Sequence, residues 1–75
     1  MIATHIIQSI SFGKDTILIV IDGRTIELPL EKISKKLMNA SDIQRRLYKV
    51  SPSGYGIHWP LLDEDISVEA ILKKT

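Results

Sequence analysis

Seventy-five residues, ten basic and nine acidic, with no cysteine and 44% hydrophobic content, describe one domain of about 11 Å radius of gyration that buries only about 60% of its unfolded surface. That size leaves no room for a catalytic domain with a deep cleft, and the lack of cysteine excludes both a disulfide framework and a thiolate zinc site. The longest apolar run, Ile17 to Ile21, is five residues, far below the roughly 20 that span a bilayer, and Met1-Ile2-Ala3-Thr4-His5 lacks the basic start of a signal peptide; a cytoplasmic chain without a membrane segment is expected.

From Thr4 to Phe12, apolar residues alternate through Ile6, Ile10 and Phe12 with Ser9 and Ser11 between the last three, the period of a half-buried strand that Ile7 interrupts. Gly13-Lys14-Asp15 supplies a turn. Thr16 to Ile21 is β-branched and apolar on both faces, which suits a central strand. Asp22-Gly23 marks a two-residue type I′ hairpin, because both central residues of that turn need positive φ. The hairpin sets Ile21 opposite Arg24, Ile19 opposite Ile26 and Ile17 opposite Leu28 on the core face. It also sets Leu18 and Val20 opposite Glu27 and Thr25 on the reverse face, which is either covered or adhesive. The preferred first turn adds Ile10 and Phe12 to the core face. Pro29 ends the third strand.

The period then changes to that of a helix. Leu30, Ile33 and Leu37, spaced by Glu31, Lys32, Lys35 and Lys36, predict a short amphipathic helix from about Glu31 to Met38. Ser41-Asp42-Ile43-Gln44 has the form of a capping box and predicts a second helix to about Leu47. Tyr48 and Val50, then Tyr55 to Trp59, flank Ser51-Pro52-Ser53-Gly54 and predict a pair of short strands ended by Pro60. Ser67 is the expected N-cap of a last helix, with Ile66 and Ile71 as its staple and Val68, Ile71 and Leu72 on one face. The fold class is α+β: a small antiparallel sheet, made of a three-stranded meander plus a short strand pair, packed with two or three short helices in one domain over residues 1–75.

The balanced total charge hides a segregation. Residues 1–30 set Lys14 and Arg24 against Asp15, Asp22 and Glu27, a net −1. Residues 31–49 carry Lys32, Lys35, Lys36, Arg45, Arg46 and Lys49 against Glu31 and Asp42, a net +4. Asp63, Glu64, Asp65 and Glu69 then give −4, and Lys73 and Lys74 return +2. The basic middle is a candidate phosphate-binding surface through Lys32, Lys35, Lys36, Arg45 and Arg46. The bland alternative is a solvated face partly paired with the acidic segment. Tyr48, Tyr55 and Trp59 do not form the stacking ladder of a single-strand binder.

Candidate chemistry is sparse. His58 with Asp63-Glu64-Asp65 has metal-ligand residue types, but three consecutive acids do not converge without a tight loop and no second histidine follows at helical spacing, so a favourable charge at the N-terminus of the last helix is the preferred account of them. His58 lies between Ile57 and Trp59 and so faces outward on a strand. His5 carries no partner motif. No Gly-x-Ser-x-Gly elbow is present, and Gly54-Tyr55-Gly56 lacks the lysine of a P-loop and reads as a turn that lets Tyr55 swing onto the sheet. Trp59-Pro60 is either a lid on the core or an exposed anchor. No cofactor or metal is expected.

The stretch Gly54-Tyr55-Gly56-Ile57-His58-Trp59-Pro60 followed by Leu61-Leu62-Asp63-Glu64-Asp65-Ile66-Ser67 resembles the signature of the bacterial family called domain of unknown function twenty-four forty-two. The Asp-Gly hairpin, the proline at its end and the Ala40 to Arg45 segment agree with it. The resemblance implies a small α+β domain without assigned enzymatic activity. It also implies a gene arrangement beside a second small family that looks like a toxin and antitoxin pair. The helix-turn-helix portion found in some relatives has no counterpart here. The expected role is therefore non-enzymatic binding of a protein encoded nearby, through Leu18 and Val20 or through Trp59, Asp63 and Asp65. A homo-oligomer is compatible with the reading, and a nucleic-acid-binding regulator is its alternative.

Overall fold

The computed structural model describes residues 5–74. Strands β1 (Ile7–Phe12), β2 (Thr16–Ile21) and β3 (Arg24–Pro29) form an antiparallel meander in the order β1-β2-β3. A single 3₁₀ turn (Leu30–Lys32) leads to α1 (Lys35–Met38) and α2 (Asp42–Arg46). Strands β4 (Lys49–Val50), β5 (Gly56–Trp59) and β6 (Glu64–Ser67) make a second antiparallel sheet in the order β4-β5-β6, and α3 (Val68–Lys73) follows directly. No helix among the described residues is long and apolar enough to cross a membrane.

The β2–β3 hairpin has the expected register: Ile17 opposite Leu28, Ile19 opposite Ile26 and Ile21 opposite Arg24. Asp22 and Gly23 adopt φ of 51° and 79°, the positive pair that the type I′ turn demands. The first strand departs from simple alternation. Its pairing steps from Ile7 opposite Ile21 to Ser9 opposite Val20, so Gln8 is an extra residue, a β-bulge. The bulge turns Ile7 toward the core together with Ile10 and Phe12, while Ile6 stays 69% exposed. Ile6 is thus not the first core residue of the strand, and the Ile7 interruption was the signature of the bulge. The strand's expected start at Thr4 lies outside the described residues.

The amphipathic run after Pro29 is not one helix from Glu31 to Met38. Ser34 divides it: its extended backbone ends the 3₁₀ turn, and its hydroxyl caps α1 by accepting from the Leu37 amide at 3.1 Å. The same hydroxyl donates to Glu64 Oε2 at 2.5 Å, which ties the cap to the second sheet. The capping box of α2 is complete, with the Gln44 amide on Ser41 Oγ and the Ser41 amide on Gln44 Oε1. Ser67 caps α3 through the Ala70 amide, and Ile66 and Ile71 are both buried, as a staple requires.

The second sheet has three strands, not two. Glu64 to Ser67 pairs with β5, setting Ile57 opposite Ile66 and Trp59 opposite Glu64. The acids therefore occupy a turn and a strand, and they do not gather at the start of α3. Asp63, at φ 50°, makes the tight turn between β5 and β6. Ile17, Ile19, Ile21, Ile26 and Leu28 from the first sheet, Leu30 and Leu37 from the connection, and Ile57, Trp59, Ile66, Val68 and Ile71 from the last third form one core. Fully burying such side chains contributes about 1.5–3 kcal/mol each.

Candidate functional site

Trp59 is fully buried, so it is a core residue and no surface anchor. Its ring meets Phe12 edge-on at 6.4 Å between centroids and Tyr48 at 6.1 Å, and its indole N–H donates to the Arg45 carbonyl at 3.0 Å. A buried indole needs that acceptor. Arg45, expected on a phosphate-binding face, is itself buried. Its Nε donates to the Leu37 carbonyl at 2.9 Å and its Nη2 to the Met38 carbonyl at 3.0 Å, satisfying the open end of α1. Its guanidinium lies 5.3 Å from the centre of the Phe12 ring. Both residues leave the candidate contact lists for this reason. Lys32, Lys35, Lys36 and Arg46 remain exposed, with Lys36 Nζ donating to the Asp63 carbonyl at 3.3 Å.

The acidic segment separates into three roles. Asp63 is exposed at the β5–β6 turn, Glu64 faces Ser34, and Asp65 reaches across the sheet to His58. Among the described residues, no three His, Asp or Glu side chains are placed to hold a metal ion. His58 Nδ1 and Asp65 Oδ1 are 2.7 Å apart. As Nδ1 faces an acceptor, it carries the proton, and Nε2 is the ring atom left to meet a ligand.

Strand pairing builds a grid on the outer face of the second sheet. Lys49 is opposite His58, which is opposite Asp65, in one row. In the next, the Ser51 amide donates to the Gly56 carbonyl at 2.9 Å and Gly56 is opposite Ser67. Ser51 Oγ accepts from the Tyr55 and Gly56 amides at 3.0 and 3.1 Å and so folds the β4–β5 connection. Tyr55 is 57% exposed beside this face of the sheet. With Val50 and Pro52 it borders an open groove of about 680 Å³ floored by Gly56 and the His58 row. Lys49, Tyr55 and Gly56 were not recognised as parts of one surface from the sequence. The available signal was the alternation Gly56-Ile57-His58-Trp59, whose even positions must share the face opposite to Ile57 and Trp59.

The outer face of the first sheet has a different character. Ser9 with Val20 and Thr25, and Ser11 with Leu18 and Glu27, lie opposite one another across the three strands. Leu18 and Val20 are half-buried by these neighbours and stand outside the core. At the hairpin tip, His5 is engaged after all. Its Nδ1 is 2.9 Å from Asp22 Oδ2, the Ile6 amide donates to Asp22 Oδ1 at 2.8 Å, and the Gly23 amide donates to Gln8 Oε1 at 2.8 Å. The hydrogen bond to Asp22 raises the pKa of His5 above the ordinary histidine value. The Ile6 amide, and after it His5, hold Asp22 below the ordinary carboxylate value. Buried His5 Nε2 has no hydrogen-bond partner among the described residues, and Glu69 Oε1 stands 3.8 Å from it.

No curated protein is significantly similar to the chain. Its fold is similar to that of a solved structure described as a protein of unknown function from Rhodospirillum rubrum, with a TM-score of 0.71 and 24% identity over 91% of this chain and 84% of that one. The model of a family described as "Protein of unknown function (DUF2442)" matches residues 7–75, which takes in all six strands, and the chain therefore belongs to that family.

Proposed function

We propose that the chain is a non-enzymatic, cytoplasmic protein-binding module, the antitoxin-like half of a two-gene module, and that it receives its partner on the outer face of the first sheet. The observation that carries this reading is the placement of Leu18 and Val20 on the central strand, outside the core, inside a rim of Ser9, Ser11, Thr25 and Glu27. An apolar centre within a polar rim is the anatomy of a protein interface. Completing the burial of two aliphatic side chains supplies binding free energy that no group of the monomer now collects. The two-gene assignment rests on the gene arrangement that the family resemblance implies. Glu27, exposed on the rim of that face, gives a basic partner favourable charge.

Co-expression with the product of the adjacent gene, one of the two tagged, tests the reading. Co-purification is expected, and Leu18→Asp is expected to abolish it while leaving the melting temperature within a few degrees, because the side chain is not in the core. Failure of the wild-type pair to co-purify, or its survival in Leu18→Asp, overturns the proposal. Light scattering of the isolated chain shows whether a second copy covers the same face.

A further inference from the structure

The groove on the outer face of the second sheet is a separate surface, and Gly56 is the residue that gives it meaning. Glycine inside a strand costs conformational entropy and forgoes side-chain packing, so it marks either a backbone requirement or a close approach by something else. Two other glycines of this chain answer to backbone requirements. Gly23 has the positive φ of the hairpin, and Gly54 combines a φ of 67° with a position where a Cβ would overlap the His5 carbonyl. Gly56 has neither need. Its φ is not positive, and a Cβ there would meet only the Ile66 carbonyl oxygen, at 3.6 Å, an ordinary contact. The fold tolerates a side chain at this position, and what its absence does is leave the floor of the groove flat between Ser51 and Ser67.

The surroundings state what such a floor would accept. Tyr55, Val50 and Pro52 supply apolar walls, and Tyr55 and Val50 are among the exposed large hydrophobic residues of the chain. Lys49 lines the groove, and no carboxylate among the described residues pairs with it. The single acid of the groove, Asp65, is engaged by His58 Nδ1 at 2.7 Å, and Lys49 lies opposite His58 across the strands, so the Lys49 ammonium is the charged group of the groove left open to a ligand. A volume of about 680 Å³ is that of an ordinary small-ligand site.

We propose that this groove binds a small carboxylic acid bearing a flat ring. The ring lies on Gly56 beside Tyr55, and the carboxylate reaches the Lys49 ammonium, whose remaining donors His58 Nε2 can accept from. His58 is a positioning partner for Lys49 in this arrangement, held upright by Asp65. The site is independent of the partner-binding face around Leu18 and Val20, since the two belong to different sheets.

Amide chemical-shift titration of the full chain with phenylacetate tests the proposal, with phenylacetamide as the ring without the charge and acetate as the charge without the ring. Saturable shifts centred on Tyr55, Gly56, His58 and Ser67 are expected for phenylacetate, with each control weaker by about tenfold or more. Gly56→Val fills the floor and is expected to abolish the shifts, and Gly56→Ala, the milder substitution, to weaken them; in either variant an unchanged amide spectrum away from the groove certifies the fold. Lys49→Met is expected to bring phenylacetate down to the level of phenylacetamide. Non-saturable shifts, equal shifts with acetate alone, or full binding by a folded Gly56→Val or Gly56→Ala variant overturns the proposal.

Discussion

Arg45 shows how much one residue carries when a small domain uses it for structure. Its guanidinium closes α1 through two carbonyls, lies against Phe12, and its own carbonyl receives the Trp59 indole. Arg45→Met keeps much of the volume but leaves the Leu37 and Met38 carbonyls without their donors. A loss of about 2–4 kcal/mol is expected in urea denaturation. Arg45→Lys is expected to recover little of it, because an ammonium does not reproduce the planar fork. A second residue-scale effect concerns His5. Since its folded pKa is raised by Asp22, its contribution to stability is complete below the unfolded value of about 6.5 and disappears as pH rises through the folded value. Asp22 runs the other way: its folded pKa is lowered, so its contribution is present above the ordinary carboxylate value and lost as pH falls through the folded one. In Asp22→Asn, which tolerates the positive φ of the turn, the His5 titration followed by NMR is expected to move back toward the ordinary histidine value. An unchanged His5 titration would show that Asp22 is not the cause.

At the scale of elements, the hairpin, the capping box of α2 and the Ser67 cap were legible because each rests on a local rule: a turn that requires Asp-Gly, or a hydroxyl three residues before an amide. The elements misread were those decided by distant partners. Ser34 looks like one polar residue within a helix period, and only Glu64, thirty residues away, makes it the cap that breaks the run. Strand β6 is four residues with two acids among them, and its alternation is visible only once β5 lies beside it. The candidate site suffered the same way. Lys49, His58 and Asp65 become one row through pairing, while Trp59 and Arg45, the residues most conspicuous in the sequence, went to the interior. The bulge at Gln8 offers a direct check on this level. Deleting Gln8 leaves Ile7 opposite Ile21 and Ser9 opposite Val20 in one regular ladder, so Ile7 keeps its place on the core face and what is lost is the local bend and twist of the bulge. The deletion also removes the Gln8 amide that receives the Gly23 N–H. A drop in melting temperature is expected; a variant as stable as the wild type would show that the bulge is not needed.

At the scale of the whole molecule, the two sheets are each built from consecutive strands and joined by two short helices, so most strand pairing is local in sequence. Local pairing favours rapid formation of each sheet, whereas the halves meet through contacts of high sequence separation: the shared core, Phe12 with Trp59, Ser34 with Glu64, and the backbone hydrogen bond from the His5 amide to the Ser53 carbonyl at 3.1 Å. The two outer faces differ in character, with Leu18 and Val20 within a polar rim on the first sheet and a polar row with a glycine floor on the second. Among the described residues no Lys or Arg of the basic middle forms an ion pair with the acidic end; Lys36 reaches the Asp63 backbone carbonyl instead.

The interior position of Trp59 also equips the chain with an optical gauge. It is the sole indole, it sits against a ring from each half of the molecule, Phe12 and Tyr48, and its N–H is tied to Arg45. Its emission and near-ultraviolet ellipticity report whether the halves are seated, while far-ultraviolet ellipticity reports the strands. Expected, on dilution from denaturant, is a far-ultraviolet signal that rises before the indole emission shifts to shorter wavelength. Arg45→Met should separate the two signals further, and their coincidence in both chains would mean that strands form and halves seat in one step.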